Sequence, residues 1–184
     1  MIRPIIDVHK NSYDVPVILA SDPLYTAMIA DPINIYVMVD NDDLGHVGLV
    51  IGDGEQALLY DPSGGYIGWG EKCQANEIAR RGSGEFLPYP DFDWDTYLSY
   101  HRWSSDDIVV IQFIIPEEHA KRLRSIILNN DYSYYFHCAT NVARVLRESG
   151  GIFENLEDGF RAPWGVKEEL LDMKPPEALF PNAK

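Results

Sequence analysis

A cysteine stands at the start of a helical pattern, directly after a histidine. This residue is Cys138, in the stretch "YYFHCATNVARVL". A helix N-terminus offers free N–H groups and a partial positive charge, which lower the pKa of a thiol and favour the reactive thiolate. Cys138 is therefore either a nucleophile or a small side chain that packs the helix start. The first interpretation requires a base elsewhere in the chain.

His46 is the histidine best placed to act as that base. It begins a predicted strand in "LGHVGLVIGDG", and its side chain shares a face with Gly48 and Val50. The nearby glycines leave space around an imidazole that a strand holds rigidly. His137 adjoins Cys138, but neighbouring side chains at a helix start point in different directions. That placement favours an electrostatic role for His137 over a direct role as the base.

A carboxylate, Asp61, follows the hairpin partner of the histidine strand, in "QALLYDP". Near the open end of that hairpin, it can accept the second N–H of His46, which would fix the tautomer and support the imidazolium form. The alternative is a turn residue before Pro62 and Ser63, and the sequence leaves both open. We predict a site of Cys138, His46 and Asp61, and we expect it to need no cofactor and no metal.

The remaining histidines and the second cysteine have simpler interpretations. His119 falls on a charged helix face, which favours a solvated role. His9 and His101 lie in polar segments, and we expect both at the surface. Cys73 lies in a predicted surface segment and is interpreted as an incidental thiol.

The elements that must position the site are strands followed by helices. "INIYVMVD", "HVGLVIGDG" and "QALLYDP" are apolar runs of strand length separated by turn signals, and they predict an antiparallel meander. "DIVVIQFIIP" is the strongest strand pattern, and "EKCQANEIARR" and "DTYLSYHRW" are weaker helical ones. "PEEHAKRLRSIILNN" and "CATNVARVLRESGG" have the caps and periodicity of helices. The predicted class is α+β, an antiparallel sheet packed against helices.

Length and composition favour one domain. The chain has 184 residues, of which 46% are hydrophobic, enough for one core and too few for two comfortable domains. Prolines punctuate residues 1–32, which we predict to be irregular. They recur in residues 152–184, which we predict to be a tail that wraps the surface.

The charge balance is strongly acidic. Lys and Arg number 15 against 29 Asp and Glu, for a formal net charge of −14. Such a surface repels phosphate backbones and anionic membranes, so we expect no nucleic-acid partner. No stretch approaches the roughly 20 apolar residues of a membrane span, and we expect no membrane insertion. The first residues lack the apolar run of a signal peptide, so we expect synthesis in the cytoplasm.

Two segments together resemble a known family. "GHVGLVI…LLYDPSGG" followed by "YSYYFHCATNVARVLRESGG" resembles the circularly permuted branch of the NlpC-type, papain-like cysteine peptidases. In that branch the strand histidine precedes the helix cysteine. The resemblance covers residues 33–62 and 108–151, and it implies a permuted papain-like architecture. It matches Cys138 to the nucleophile, His46 to the general base and Asp61 to the third polar residue.

What the resemblance implies about function is a cysteine hydrolase of peptide or amide bonds. Members of the branch resemble type VI secretion effectors that cut peptidoglycan peptides. The expected substrate is thus a bacterial cell-wall peptide. Delivery to a target-cell periplasm by a specialised secretion system, and an immunity or delivery protein as partner, follow from the same likeness. Two departures are His137, where asparagine is common, and "ALLYD", which lacks the second strand histidine of the acyltransferase-type members and so favours a hydrolase.

Other functions stay open at this point. The same Cys138–His46 pair suits a deamidase, an acyl or thioester hydrolase, or an isopeptidase. A non-catalytic acidic binding or immunity protein, with Cys138 as a core residue, is an alternative of a different class.

Overall fold

A computed structural model describes most of the chain. The described residues are 8–10, 15–42, 44–64, 66, 86–88, 92–129 and 136–173, and 8–10 and 86–88 are described by their backbone alone. Cys73, the predicted helix at 71–81 and the side chain of His9 lie outside this set.

The strands of the described residues form one seven-stranded sheet. They are β1 (Val8–Lys10), β2 (Pro16–Leu19), β3 (Pro32–Asp40), β4 (His46–Ile51), β5 (Leu58–Tyr60), β6 (Phe86–Pro88) and β7 (Ile108–Pro116). Their order across the sheet is β1-β2-β7-β3-β4-β5-β6. The meander β3-β4-β5 is antiparallel, as predicted.

The sheet as a whole is mixed, so the prediction of a purely antiparallel sheet is wrong. β2 runs parallel to β7, with Val17 opposite Val110 and Leu19 opposite Gln112, whereas the other pairs are antiparallel. The parallel strand belongs to residues 1–32, which we predicted to be irregular. Its proline stands at a strand start, a position where proline is tolerated because it need not donate to the ladder.

Five α-helices occur among the described residues. They are α1 (Pro23–Ala27), α2 (Trp94–Arg102), α3 (Glu117–Leu128), α4 (Cys138–Ser149) and α5 (Pro163–Asp172). The two helices predicted with capping signals are confirmed as α3 and α4. Part of the predicted wrapping tail is α5, whose Val166 and Leu170 are buried in the core. None of these helices combines the length and apolar character needed to span a membrane.

The sheet is buried on both faces. Along β3, Ile35, Val37 and Val39 enter one hydrophobic cluster while Met38 enters another, as expected for the alternating faces of a strand. The first cluster includes buried residues of α3, α4 and α5, and the second includes those of α2. The described chain thus has three layers, with α2 on one side of the sheet and three helices on the other.

α4 is amphipathic, and its apolar face packs against the sheet. Cys138, the first residue of α4, lies on that buried face. The buried residues of α4 recur at helical spacing and include Ala139, Val142, Ala143 and Leu146. The helix contacts β4. The helix start, with Cys138, therefore lies beside the start of β4, where His46 stands.

His119 of α3 is buried rather than solvated, so the prediction for this residue is wrong. Its ring nitrogen Nε2 lies 2.7 Å from Ser149 Oγ, and only 4% of the residue is exposed. Most charged residues of α3 are exposed on its outer face, while His119 packs between α3 and α4. Burial, and to a lesser extent the charge of Arg122, lowers the pKa of His119 to about 4.

His119→Gln should weaken the dependence of stability on pH. Between about pH 6.5, the ordinary histidine pKa, and about pH 4, the unfolded chain binds a proton that the folded chain refuses, so stability falls as pH falls. The slope of unfolding free energy against pH in this window should decrease by up to about 1.4 kcal/mol per pH unit in the variant. Urea unfolding at closely spaced pH values measures it. Ser149→Ala keeps the imidazole and should keep the slope; equal slopes in the parent and His119→Gln would contradict the assignment.

Candidate active site

Cys138 is the first residue of α4 and is a free, buried thiol with 7% of its surface exposed. The residue before it, His137, occupies the cap position without a side-chain capping bond. The N–H groups of Val47 and Ala139 point towards the sulfur. One of these donors comes from β4 and the other from the first helical turn, so both elements meet at the thiol.

His46 and Asp61 form the closest polar contact of the site. Nε2 of His46 lies 2.6 Å from Oδ1 of Asp61, and the two side chains are 12% and 3% exposed. The predicted position of Asp61 along the hairpin, close to His46, is confirmed. β5 pairs with β4 so that Tyr60, the residue before Asp61, lies opposite Leu49. The carboxylate therefore comes off the hairpin close to the start of β4.

The three predicted site residues are in contact in the order Cys138, His46, Asp61. An ionised carboxylate only accepts hydrogen bonds, so the proton between His46 and Asp61 belongs to Nε2. Nδ1 is then the nitrogen left for the hydrogen bond that links His46 to the thiol of Cys138. In its neutral form, this tautomer presents a lone pair to the thiol, as a base requires.

Electrostatics favour an ion pair between the thiol and the imidazole. Burial lowers the pKa of His46, but the charge and hydrogen bond of Asp61 outweigh burial and raise that pKa well above its ordinary value. Burial raises the pKa of Cys138, but the hydrogen bond and charge of His46 lower it below its usual range, helped by the N–H groups of Val47 and Ala139. Both shifts act in the direction of a thiolate paired with an imidazolium.

A tyrosine that the sequence analysis did not select completes the carboxylate's surroundings. The hydroxyl of Tyr97, from α2, donates to Asp61 Oδ1 over 2.9 Å. It crosses β4 at Gly48, where an added Cβ would lie 2.1 Å from the tyrosine oxygen. The glycine thus makes room for the tyrosine that holds the acid.

The other carboxylate oxygen, Oδ2 of Asp61, faces a second glycine. A Cβ at Gly64 would lie 1.6 Å from it, and this buried oxygen has no hydrogen-bond partner among the described residues. Burial raises the pKa of Asp61, but His46 and Tyr97 hold that pKa below its usual value. Both of these contacts are made to Oδ1.

His101 lies in the site rather than at the surface, so the prediction for this residue is wrong. Its ring is nearly parallel to that of His46, with centroids 5.2 Å apart and an interplanar angle of 11°. Its Nδ1 lies 3.6 Å from Asp40 Oδ2. Burial and the charge of His46 lower the pKa of His101 despite Asp40. The sequence showed only that Tyr97 and His101, four residues apart, share one helix face; it did not show that this face covers His46.

Three of these side chains also offer ligand atoms for a metal ion. One atom each of His46, Asp61 and His101 lies within 4.8 Å of the other two. An ion there would replace the hydrogen bond between His46 and Asp61. A metal site and the proton-transfer arrangement are therefore alternatives for the same residues.

Alkylation of Cys138 should show a low midpoint that depends on His46. In a Cys73→Ser background, we expect the midpoint of the pH–rate profile for iodoacetamide below the ~8.5 of a free cysteine. His46→Ala removes the charge and hydrogen bond of the imidazole that lower this pKa and leaves burial and the N–H groups of Val47 and Ala139, so the midpoint should rise. His137→Ala also removes one imidazole and serves as the matched control, with a smaller shift expected. A midpoint that does not respond to His46→Ala would contradict the pair.

Gly48→Ala should disrupt the site from within the sheet. The added methyl would overlap the hydroxyl of Tyr97, which aromatic rings on α2 and its neighbours hold in place. We expect a loss of about 1–3 kcal/mol in unfolding free energy from overpacking, together with slower Cys138 alkylation at pH 6. Gly165→Ala, where an added Cβ meets nothing closer than 3.9 Å, lies within α5; it should leave alkylation unchanged and should not lower the unfolding free energy, because alanine favours a helix over glycine. Equal behaviour of the two variants would refute the steric argument.

Comparisons of the chain with protein-family models, with curated proteins and with solved structures find no match. What the site can do therefore follows from its own groups. A thiol at a helix start, an imidazole with a fixed tautomer and a buried carboxylate together can activate a nucleophile by proton transfer.

Proposed function

We propose that this chain is a cysteine hydrolase that cleaves a peptide or amide bond. The observation that carries the proposal is the direction of the His46 ring. Its Nε2 is committed to Asp61, which leaves Nδ1 to exchange a proton with Cys138. A histidine with only a packing role would not need one ring nitrogen bonded to a carboxylate and the other directed at a thiol.

In the proposed first step, Nδ1 of His46 takes the proton of the Cys138 thiol. The sulfur attacks the substrate carbonyl carbon, a C–S bond forms, and the π electrons of the carbonyl move to its oxygen. The first N–H groups of α4 have no carbonyl within the helix to bond. They are the donors best placed to stabilise the oxyanion.

In the second step the tetrahedral intermediate collapses and its C–N bond breaks. The imidazolium of His46 gives its proton to the leaving amine, and the acyl group stays on Cys138 as a thioester. Water, deprotonated by His46, then attacks the thioester carbon and releases a carboxylic acid and the free thiol. Throughout, Asp61 stabilises the charged imidazole and holds its orientation.

The proposed substrate is a peptide of the bacterial cell wall. This choice rests on the resemblance of the histidine and cysteine segments to permuted NlpC-type enzymes, since the arrangement of Cys138, His46 and Asp61 supports a type of reaction and not a particular substrate. Delivery outside the producing cell, and a partner that neutralises or carries the enzyme, belong to the same proposal. The permuted papain-like architecture is proposed on that basis too.

An acyl or thioester hydrolase on the same residues is a second candidate. Two exposed phenylalanines favour it. Phe136 precedes Cys138 by two residues, and Phe160 packs against His137 with ring centroids 5.4 Å apart; both are 71% exposed. Exposed apolar side chains near the start of α4 suit an acyl group as well as an apolar amino-acid side chain.

Turnover of purified muropeptides and of an acyl thioester should depend on the three site residues. We expect Cys138→Ala and His46→Ala to lower kcat/KM by at least about a thousandfold, because both act on the reacting atoms. Asp61→Asn should lower kcat by about a hundredfold, since an amide does not stabilise the imidazolium. Liquid chromatography of the products, with rates from their peak areas, measures each effect.

The matched control is Asp106→Asn. This change removes the carboxylate of an exposed residue that is not part of the site, and the variant should keep the parent rate. Turnover that persists in Cys138→Ala would contradict a thiol nucleophile. An inert parent enzyme on every substrate class would favour the acidic binding protein instead. Preference for the thioester over muropeptides would favour the second candidate.

A further inference from the structure

A cavity lies on the α2 side of the sheet, away from the thiol. It has a volume of about 430 Å³, within the roughly 300–1,000 Å³ typical of ligand pockets. Its floor is β2, β3 and β7, and its wall is the first part of α2. The lining side chains are Val17, Tyr36, Asp53, Trp94, Asp95, Leu98, Val110 and Gln112.

A fixed carboxylate stands at the edge of this cavity. The hydroxyl of Tyr36 donates to Oδ1 of Asp53 over 2.6 Å, and Nδ2 of Asn34 donates to Oδ2 over 2.8 Å. Asn34 is itself held by Gln112, whose Nε2 donates to the Asn34 side-chain oxygen over 3.0 Å. Both oxygens of Asp53 are thus oriented by neighbours before any ligand arrives.

The charge of this carboxylate is not neutralised within the described chain. Both of its donors are neutral groups, and none of the described residues forms an ion pair with Asp53. Arg124, whose guanidinium lies close to Gly52, is no exception. Among the described residues, the charge of Asp53 therefore makes its side of the cavity electronegative, in a chain whose net charge is −14.

The start of α2 does not counter this charge. A helix N-terminus attracts anions through its free N–H groups. Here, however, Asp93 Oδ1 accepts the N–H of Asp95 over 2.7 Å and that of Thr96 over 3.4 Å. The cap already supplies the anion, so the helix adds no anion site to the cavity.

The remaining walls suit a cation with an apolar stem. The rings of Tyr36 and Trp94 meet edge to face with centroids 5.3 Å apart, and aromatic faces attract ammonium groups. Val17, Leu98 and Val110 offer an apolar surface of the kind that the methylenes of a long basic side chain cover.

We propose that this cavity binds the side chain of a lysine presented by a peptide or protein. The ammonium group contacts Asp53 and the aromatic pair, and the four methylenes lie on the apolar floor. Because no step involves the thiol, the proposal goes beyond the hydrolase function and is independent of it.

Lysine fits better than arginine for a geometric reason. A guanidinium binds a carboxylate best side-on, through two parallel hydrogen bonds that need one free acceptor on each oxygen. Each oxygen of Asp53 already accepts one bond, from Tyr36 or from Asn34, and so keeps one further acceptor position. A side-on guanidinium needs both remaining positions to point the same way, whereas a compact ammonium can use either one alone.

The experiment is a titration with Nα-acetyl-lysine methylamide, followed by calorimetry and by the NMR signal of the Trp94 indole. It uses the full-length Cys138→Ala variant, so that hydrolysis cannot interfere. Nα-acetyl-norleucine methylamide, which has the stem without the charge, is the matched ligand. We expect saturable binding of the lysine probe, about tenfold or more weaker binding of the norleucine probe, and weakening of the lysine probe by added salt.

Variants then assign the binding to this cavity. Asp53→Asn should weaken lysine binding by about tenfold or more, and Trp94→Phe by a smaller factor because a smaller aromatic face remains. Glu154→Gln removes the same charge from an exposed residue next to Phe153, which belongs to the opposite core, and should bind as the parent does. Thermal unfolding checks that each variant is folded.

Several results would overturn the proposal. Equal affinity for the lysine and norleucine probes would remove the role of charge. Equal weakening in Asp53→Asn and Glu154→Gln would reduce the effect to the overall negative charge. Unsaturable binding of the lysine probe, with an unmoved Trp94 signal, would show that the cavity is not a lysine site.

Discussion

The buried negative charge of Asp61 is the constraint on which the site depends. A carboxylate that is 3% exposed is costly to ionise unless partners replace the water it has lost. Its partners come from separate elements, His46 from β4 and Tyr97 from α2. Gly48 and Gly64 supply the space that these contacts occupy. The need to compensate the charge of Asp61 therefore constrains how α2 packs on the sheet and how the hairpin of β4 and β5 ends.

The same pairing limits which proton can move near neutral pH. His101 is buried against the His46 ring, and burial with the charge of that ring keeps the pKa of His101 low. Asp61 is held ionised, and burial and Asp61 raise the pKa of the Tyr97 hydroxyl well above its ordinary value. In the proposed hydrolase, the proton that moves is therefore the one between Cys138 and His46, and the other titratable groups of the cluster keep their protonation states.

Local patterns predicted the parts of the site that local geometry determines. A hairpin turn sets which residues of β4 and β5 face each other, so His46 and Asp61 could be paired from sequence. The period of α4 likewise placed Cys138 at a helix start. The docking of α2 is a long-range event, and no neighbouring residue indicates which strand a helix face will cover. Tyr97 and His101 were missed for that reason, and the parallel pairing of the four-residue β2 with β7 was missed for the same one.

Burial separates the two acidic sites that α2 helps to form. On one part of the helix, Tyr97 and His101 face the enclosed Asp61. The charge of Asp61 is paired with the imidazole of His46. On another part, Trp94 and Leu98 face the cavity of Asp53, which is exposed and whose hydrogen-bond donors among the described residues are neutral groups. An enclosed carboxylate is costly to ionise unless the protein itself compensates the charge, whereas an exposed one can remain charged because water solvates it. In the proposed hydrolase the first charge supports the base, and in the proposed lysine site the second is free to meet a ligand that brings its own positive charge.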